Sequence, residues 1–368
     1  MANNPSVASH PLKLSGGGCQ SYNSGSVRPA FALALFCGRV DGSIRLKQYR
    51  LNQFGLVLMA ETNLKHHFTK ISGQEWHWVE QGTGIPIVLL HGIPESWQCW
   101  KHQIPSLARQ FRVIAPDLKG YGKSGKEDGD YSMTGVAGEV LALLDAIGVD
   151  DFHLAGHDWG VAISDNIISQ ASHRVKRYIR CCLSLHEYDP RNSLHHQWNA
   201  ENHQEAAKLM NCAEAYVRVW FESSCKPELL PQQQELNEII EEFSEPGTGD
   251  AVSRYFRDIR KSKPIDLSKF TMPILYIHGE HDPRQPIEYC HGMEEHLTGL
   301  QAILVVDSGH FVTRERPTVV TNAMVWFLNS MLASGLPIFE RSRHYGLPTR
   351  PAKKPETSFG VNAVTTKS

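Results

Sequence analysis

The sequence predicts an α/β fold: a mostly parallel, doubly wound sheet with a helical block inserted after the sixth strand. Three observations point there. Short apolar runs at 86–90, 111–115, 152–155, 273–278 and 302–306 alternate with stretches of helical periodicity. From His186 to about Pro264 the strand pattern disappears, and the chain is polar, helical and rich in Glu, Gln and His. At 368 residues, 41% hydrophobic and 21% charged, the chain has the composition of an ordinary globular protein with room for one large domain and an insertion.

Residues 1–58 differ from the rest. Gly16, Gly17 and Gly18 and the Ser/Asn-rich stretch around them lack periodicity, so an extension without regular structure is expected, with the native start at Met59. The run Phe31 to Cys37 is far shorter than the ~20 residues of a membrane span. Leu64–Ser72 and Glu75–Gln81 read as a polar hairpin at a sheet edge. A buried strand follows at Pro86–Leu90, a helix at Trp100–Gln110 and a strand at Phe111–Ala115. The helix Met133–Ile147 is stopped by Gly148. Phe152–Ala155 is a strand, Val161–Gln170 a helix and Val175–Leu185 a strand. Strands return at Pro273–His278 and Ala302–Val306, and a helix at Pro317–Leu332 closes the domain. The expected organisation is a core at 59–185 and 265–334, a cap at 186–264, and a loose tail at 335–368. The cap would sit over the carboxyl ends of the strands, where such sheets bind ligands.

A net charge of -2 and a pI of about 6.8 give no electrostatic reason to expect nucleic acid or membrane as partner. The eight cysteines form no C-x-x-C pair, and adjacent Cys181 and Cys182 alternate across a strand. Buried thiols in a reducing, cytoplasmic setting are expected. No cofactor is expected. His278, Glu280, His281 and Asp282 sit too close together on one turn to make a full metal-ligand set. The run Gly120-Tyr121-Gly122-Lys123-Ser124 lacks the upstream glycine of a phosphate loop, because Asp117 stands in its place.

The chemistry is carried by four short motifs. Gly156-His157-Asp158-Trp159-Gly160 follows a strand and opens a helix, the layout of a nucleophile elbow with aspartate at its centre. His91-Gly92-Ile93-Pro94 follows the buried strand, where this layout takes an oxyanion N–H. Ile93 would supply one donor and Trp159 the second. His310, after the last strand, is the expected general base. Asp282 is the favoured partner of its second ring nitrogen, with Glu280 and Asp307 as competitors. The order Asp158, Asp282, His310 is that of α/β-hydrolases. A carboxylate attacks a saturated carbon better than it transfers acyl groups. The expected course is attack by Asp158 to give an alkyl ester, then attack of His310-activated water on that ester, with the oxyanion hole stabilising the intermediate. Suitable substrates are small apolar electrophiles, epoxides or alkyl halides, with water as second reactant.

From about residue 62 to 334 the chain resembles the epoxide hydrolases of the α/β-hydrolase superfamily, most specifically over HGIPESWQCWKHQIPSLA (91–108), DLKGYGKSG (117–125) and GHDWG (156–160). Haloalkane dehalogenases share the aspartate elbow. Fluoroacetate dehalogenases place arginines just after the nucleophile, where Trp159 and Val161 stand here. The resemblance implies two cap tyrosines that protonate the opening epoxide, the second just before an arginine. Phe256 stands at that position before Arg257, with Tyr255 beside it. For the first, His195–Asn199 offers Trp198, with Tyr188 and Tyr216 displaced. His91, Pro94, Trp159, Tyr188, Trp198 and Tyr255 are therefore the residues expected to line the substrate pocket. A dehalogenase would use indole N–H groups of Trp159 with Trp198 or Trp220, but Ile93 replaces the asparagine common there. A non-catalytic binding protein of the same fold is the third reading.

Overall fold

A computed structural model describes residues 32–40, 43–51, 64–185 and 194–330, the first two segments and Leu194 as backbone alone. The strands are β1 (Ala32–Val40), β2 (Ser43–Leu51), β3 (Lys65–Ile71), β4 (Gln74–Gln81), β5 (Ile85–Leu90), β6 (Phe111–Pro116), β7 (Phe152–His157), β8 (Val175–Cys181), β9 (Ile274–Gly279) and β10 (Leu300–Val306). They form one sheet in the order β2-β1-β10-β9-β8-β7-β5-β6-β4-β3. From β10 to β6 every neighbouring pair is parallel. Antiparallel hairpins flank this block, β3–β4 on β6 and β1–β2 on β10.

The β1–β2 hairpin departs from the expectation of an unstructured extension over 1–58. Asp41-Gly42 between the two strands is the hairpin signal in that stretch, and the apolar residues of 31–37 suit a strand beside β10. The expected helix over 100–110 is also broken. A 3-10 turn at Trp97–Trp100 precedes α1 (Ile104–Leu107), whose first turn holds Pro105. Proline has no N–H to donate inside a helix, so it sits where none is needed.

Alternation along each parallel strand fills both faces of the sheet. Val88 and Leu90 of β5 join one apolar cluster and Ile87 and Leu89 the other. The first cluster is covered by α2 (Met133–Ala146) and α3 (Trp159–Ala171), through Val136, Val140, Ile163 and Ile167. The cap follows β8 as α4 (Leu194–Glu201), α5 (His203–Asn211), α6 (Ala213–Ser224), α7 (Gln233–Phe243) and α8 (Thr248–Asp258). Its buried Met210, Val217, Phe221, Ile239, Phe243, Val252 and Phe256 belong to the same cluster, so cap and core share one hydrophobic interior. A short α9 (Met293–His296) precedes β10. On the opposite face lie α10 (Val312–Glu315) and α11 (Pro317–Asn329), with Val312, Val320, Met324 and Phe327 in the second cluster.

The chain runs from β5 to β6 on one side and then to β7 on the other. This is a topological switch point, the place where α/β sheets leave a crevice at the strands' carboxyl ends. Leu90 at the end of β5 pairs with Gly156 of β7. The loops that leave both strands therefore emerge side by side. Among the described residues no helix is long and apolar enough to cross a membrane.

Candidate active site

Asp158 stands between β7 and α3 with φ 52° and ψ -122°. A non-glycine residue pays about 1–3 kcal/mol for such a backbone, and the surroundings enforce it. A Cβ on Gly156 would lie 2.6 Å from the Gly160 backbone, and one on Gly160 would lie 2.2 Å from Leu90 O. Only glycine lets the elbow press this closely on β5. The turn sets Asp158 at the carboxyl end of β7, 8% exposed.

The carboxylate is held at both oxygens. Oδ1 accepts the Ile93 N–H at 3.0 Å, and Oδ2 faces His310 Nε2 at 3.2 Å. His310 Nδ1 lies 2.7 Å from Asp282 Oδ2. Asp282 Oδ1 accepts the N–H groups of Arg284 and Gln285 at 2.7 and 3.1 Å. Of the three acids open from sequence, Asp282 lies on the histidine. Glu280 is exposed, and Asp307 is engaged by Lys226, His281 and Arg316. Burial alone would push His310 down, but the Asp282 and Asp158 carboxylates outweigh it and hold the imidazole up at about 10. Burial likewise works against ionised Asp158, and His310 with the Ile93 N–H outweighs it and keeps the carboxylate low.

The His91–Pro94 loop is fixed from beneath. His91 is fully buried; its Nε2 accepts the Leu118 N–H at 2.9 Å, and its Nδ1 donates to Gly92 O at 2.9 Å. Burial lowers its pKa, in keeping with a neutral ring. Both ring nitrogens are committed to backbone, so His91 shapes the loop instead of lining the pocket as expected. Pro94 is buried within that loop, after a cis peptide bond. Trp159 opens α3, where the first N–H groups have no intrahelical partner.

The aromatic residues sort themselves differently from the expectation. The Trp159 ring meets Phe256 at 4.8 Å and Tyr255 at 5.6 Å. Tyr255 is fully buried, and its hydroxyl donates to Lys119 O at 2.8 Å. That phenol is committed to the core backbone. Trp198 is 45% exposed on α4, and Tyr188 lies outside the described residues. Two other phenols are better placed. The hydroxyls of Tyr121, after β6, and Tyr216, on α6, are buried without a hydrogen-bond partner of ordinary geometry among the described residues. Burial pushes both phenols up, and the Asp158 charge adds to it in each case. Phe243 of α7 lies against both rings, at 6.5 and 5.3 Å. Trp220, one turn after Tyr216, carries the Arg284 guanidinium on its face at 4.4 Å.

Buried polar groups lie beneath Asp158 and His310. His157, inside the elbow, approaches His310 O with Nε2 at 2.9 Å and Glu95 Oε2 with Nδ1 at 3.3 Å. Glu95 pairs with Arg314 at 2.6 Å. The motifs contain His157 and Glu95, but no spacing rule separates a buried support from a reactive group. Among the described residues three clusters bring metal-ligand atoms together. In Glu95–Cys99–His157 the carboxylate is already paired with Arg314. In Glu280–His281–Asp307, Asp307 is paired with Lys226 and Arg316. In Cys182–Asp282–His310, burial pushes the thiol well up, which makes it a poor ligand.

The family model of the alpha/beta hydrolase fold matches residues 85–317, and the chain belongs to that family. It is an enzyme of this class and resembles the epoxide hydrolases within it. It is 25% identical over 316 residues to epoxide hydrolase 3 of Siraitia grosvenorii, covering 72% of this chain and 98% of that protein. It is 44% identical over 103 residues to the soluble epoxide hydrolase of Corynebacterium sp. (strain C12), covering 28% of this chain and 36% of that protein. The solved structure of the epoxide hydrolase CorEH without ligand aligns with a TM-score of 0.65 at 26% identity, over 72% of this chain and 99% of that one.

Proposed function

We propose that the protein hydrolyses epoxides to vicinal diols through a covalent ester on Asp158. The observation that carries this reading is the Asp158 carboxylate, set on an elbow between the Ile93 N–H and His310. The names of the relatives support epoxides as substrate.

Oδ2 attacks a ring carbon and the C–O bond breaks. The alkoxide takes a proton from a pocket phenol, Tyr216 or Tyr121. Alkylation abolishes the Asp158 charge, so His310 holds its proton less tightly and returns it to the phenolate. Neutral His310 then takes a proton from water as that water attacks Cγ of Asp158. The ester carbonyl oxygen is Oδ1, and the Ile93 N–H already points at it, with Trp159 N–H as the second donor. Collapse expels the diol oxygen, which takes the proton left on the attacking oxygen. Asp158 and imidazolium His310 are restored.

Halide release is the second reading, favoured by Trp159 next to the nucleophile in the chain and by Trp220 beside Tyr216 on α6. A His310→Gln variant tests both by intact-protein mass spectrometry. A mass increase equal to styrene oxide supports epoxide hydrolysis. An adduct with 1-bromobutane alone moves the protein to dehalogenation. No adduct with either contradicts the ester route and leaves the binding-protein reading.

A further inference from the structure

Glu315 takes no part in the steps above, yet it is 5% exposed and accepts three backbone N–H groups. Its Oε2 takes Gly309 at 2.7 Å and Lys226 at 2.9 Å, and its Oε1 takes Phe311 at 2.9 Å. Gly309 and Phe311 are the two neighbours of His310. Lys226 lies just past the end of α6. His310's own N–H donates to Ser224 O, the last residue of α6, at 2.8 Å. Gly309 packs so tightly there that a Cβ would lie 2.2 Å from Ser224 O. The Phe311 ring stacks on Phe221 of α6 at 4.0 Å. Burial raises the Glu315 carboxyl against the pull of its N–H partners, so burying this group has a cost that only its bonds offset.

We propose that Glu315 is a positioning residue for His310, and that its bond to the Lys226 N–H makes cap helix α6 part of the same unit. The peptide groups on either side of the base hang from one carboxylate, and that carboxylate also holds the end of the helix bearing Tyr216 and Trp220. The proposal rests on the two-step ester reading. Asp158 attacks in the first step, and His310 takes the water proton in the second. A displaced His310 therefore lets the ester form and slows its hydrolysis.

Two variants separate the limbs. Glu315→Gln keeps size but turns an amide NH₂ toward a backbone N–H. Lys226→Pro deletes the cap's N–H together with the Lys226 side chain. Lys226 has φ -63° and ψ 127°, and Cys225 before it φ -76° and ψ 154°, which suit proline and the residue preceding it. Lys226→Ala controls for the side-chain pairs to Asp307 and Glu228. The experiment is a single turnover of styrene oxide, with ester followed by intact mass and diol by chromatography. In Glu315→Gln, ester formation stays within about twofold of wild type. Its hydrolysis falls on the order of 10- to 100-fold, so the ester accumulates. Lys226→Pro shows the same pattern more weakly, and Lys226→Ala behaves as wild type. Equal slowing of both steps in Glu315→Gln, or unchanged hydrolysis, overturns the positioning role. Wild-type kinetics in Lys226→Pro overturn the link to α6, and this variant decides alone if Glu315→Gln fails to fold. Absence of ester in His310→Gln removes the ester reading itself, a different failure from ester that forms in His310→Gln yet does not accumulate in Glu315→Gln.

Discussion

Gly92 and Asp158 touch so closely that a Cβ on the glycine would lie 2.4 Å from the aspartate Cβ and 2.5 Å from its Oδ1. The loop after β5 and the turn after β7 are thus fitted to each other at the Asp158 carboxylate. Gly92→Ala should displace that carboxylate from the Ile93 N–H. We expect ester formation to fall about 100-fold, with a stability loss of about 1–3 kcal/mol from overpacking. Single-turnover alkylation and thermal melting check both numbers. Unchanged alkylation would mean that the loop has slack.

The charge state of His310 should follow that of Asp158. The free enzyme's imidazole should titrate near 10, measurable by ring NMR. Ester decay should rise with pH through an apparent pKa clearly below that, because one of the two carboxylates is then neutral. The folded value lies above the usual 6.5. The resulting stability is complete below about pH 6.5 and is lost as pH rises through 10. His310→Gln should flatten the unfolding free energy across that window.

Tyr216 and Tyr121 should give opposite effects on stability and rate. Tyr216→Phe and Tyr121→Phe remove hydroxyls that make no hydrogen bond of ordinary geometry among the described residues. Stability should hold or rise by about 1 kcal/mol. Whichever phenol supplies the proton should lose about 10²- to 10⁴-fold in alkylation by epoxide and nothing in alkylation by 1-bromobutane, whose leaving group needs no proton. Tyr255→Phe should do the reverse. It loses the bond to Lys119 O, costs about 0.5–1.5 kcal/mol and leaves alkylation intact. Normal epoxide alkylation in a Tyr216/Tyr121 double variant would contradict the assignment.

Glu242 fastens α7 to the core, accepting from Ser96 Oγ and, at 2.6 Å, from Gln98 Nε2. Burial and then the Asp117 charge raise its carboxyl to about 7, against the pull of these bonds. Stability from the protonated form is present below the usual 4.5 and is lost as pH rises through 7. Glu242→Gln should therefore stabilise the protein at pH 8 by roughly 1–3 kcal/mol and leave it little changed at pH 5. Equal melting shifts at both pH values would contradict this.

Most of the parallel sheet was legible because its strands are buried on both faces and read as unbroken apolar runs. The elbow, the oxyanion loop and the order Asp158, Asp282, His310 were legible because each sits at a strand end, where the fold restricts what can follow. The cap was legible only as helical. Which phenol is committed to the core backbone depends on packing between distant segments, as the Tyr255 bond to Lys119 O shows. The support groups Glu95, His157 and Glu315 lie within a few residues of motif positions. Their roles come from the folded surroundings, which no local spacing encodes. The β1–β2 hairpin is masked in the sequence by the Gly/Ser-rich stretch before it, and Asp41-Gly42 is its one local turn signal.

The central claim is that Asp158 carries the substrate as an ester which water cleaves at Cγ. One turnover of styrene oxide by excess wild-type enzyme in ¹⁸O-labelled water tests it most directly, followed by mass analysis of the diol and of the peptide containing Asp158. The account predicts label in the Asp158 carboxylate and an unlabelled diol. Label in the diol with none in Asp158 would mean direct attack of water on the epoxide and would contradict the account.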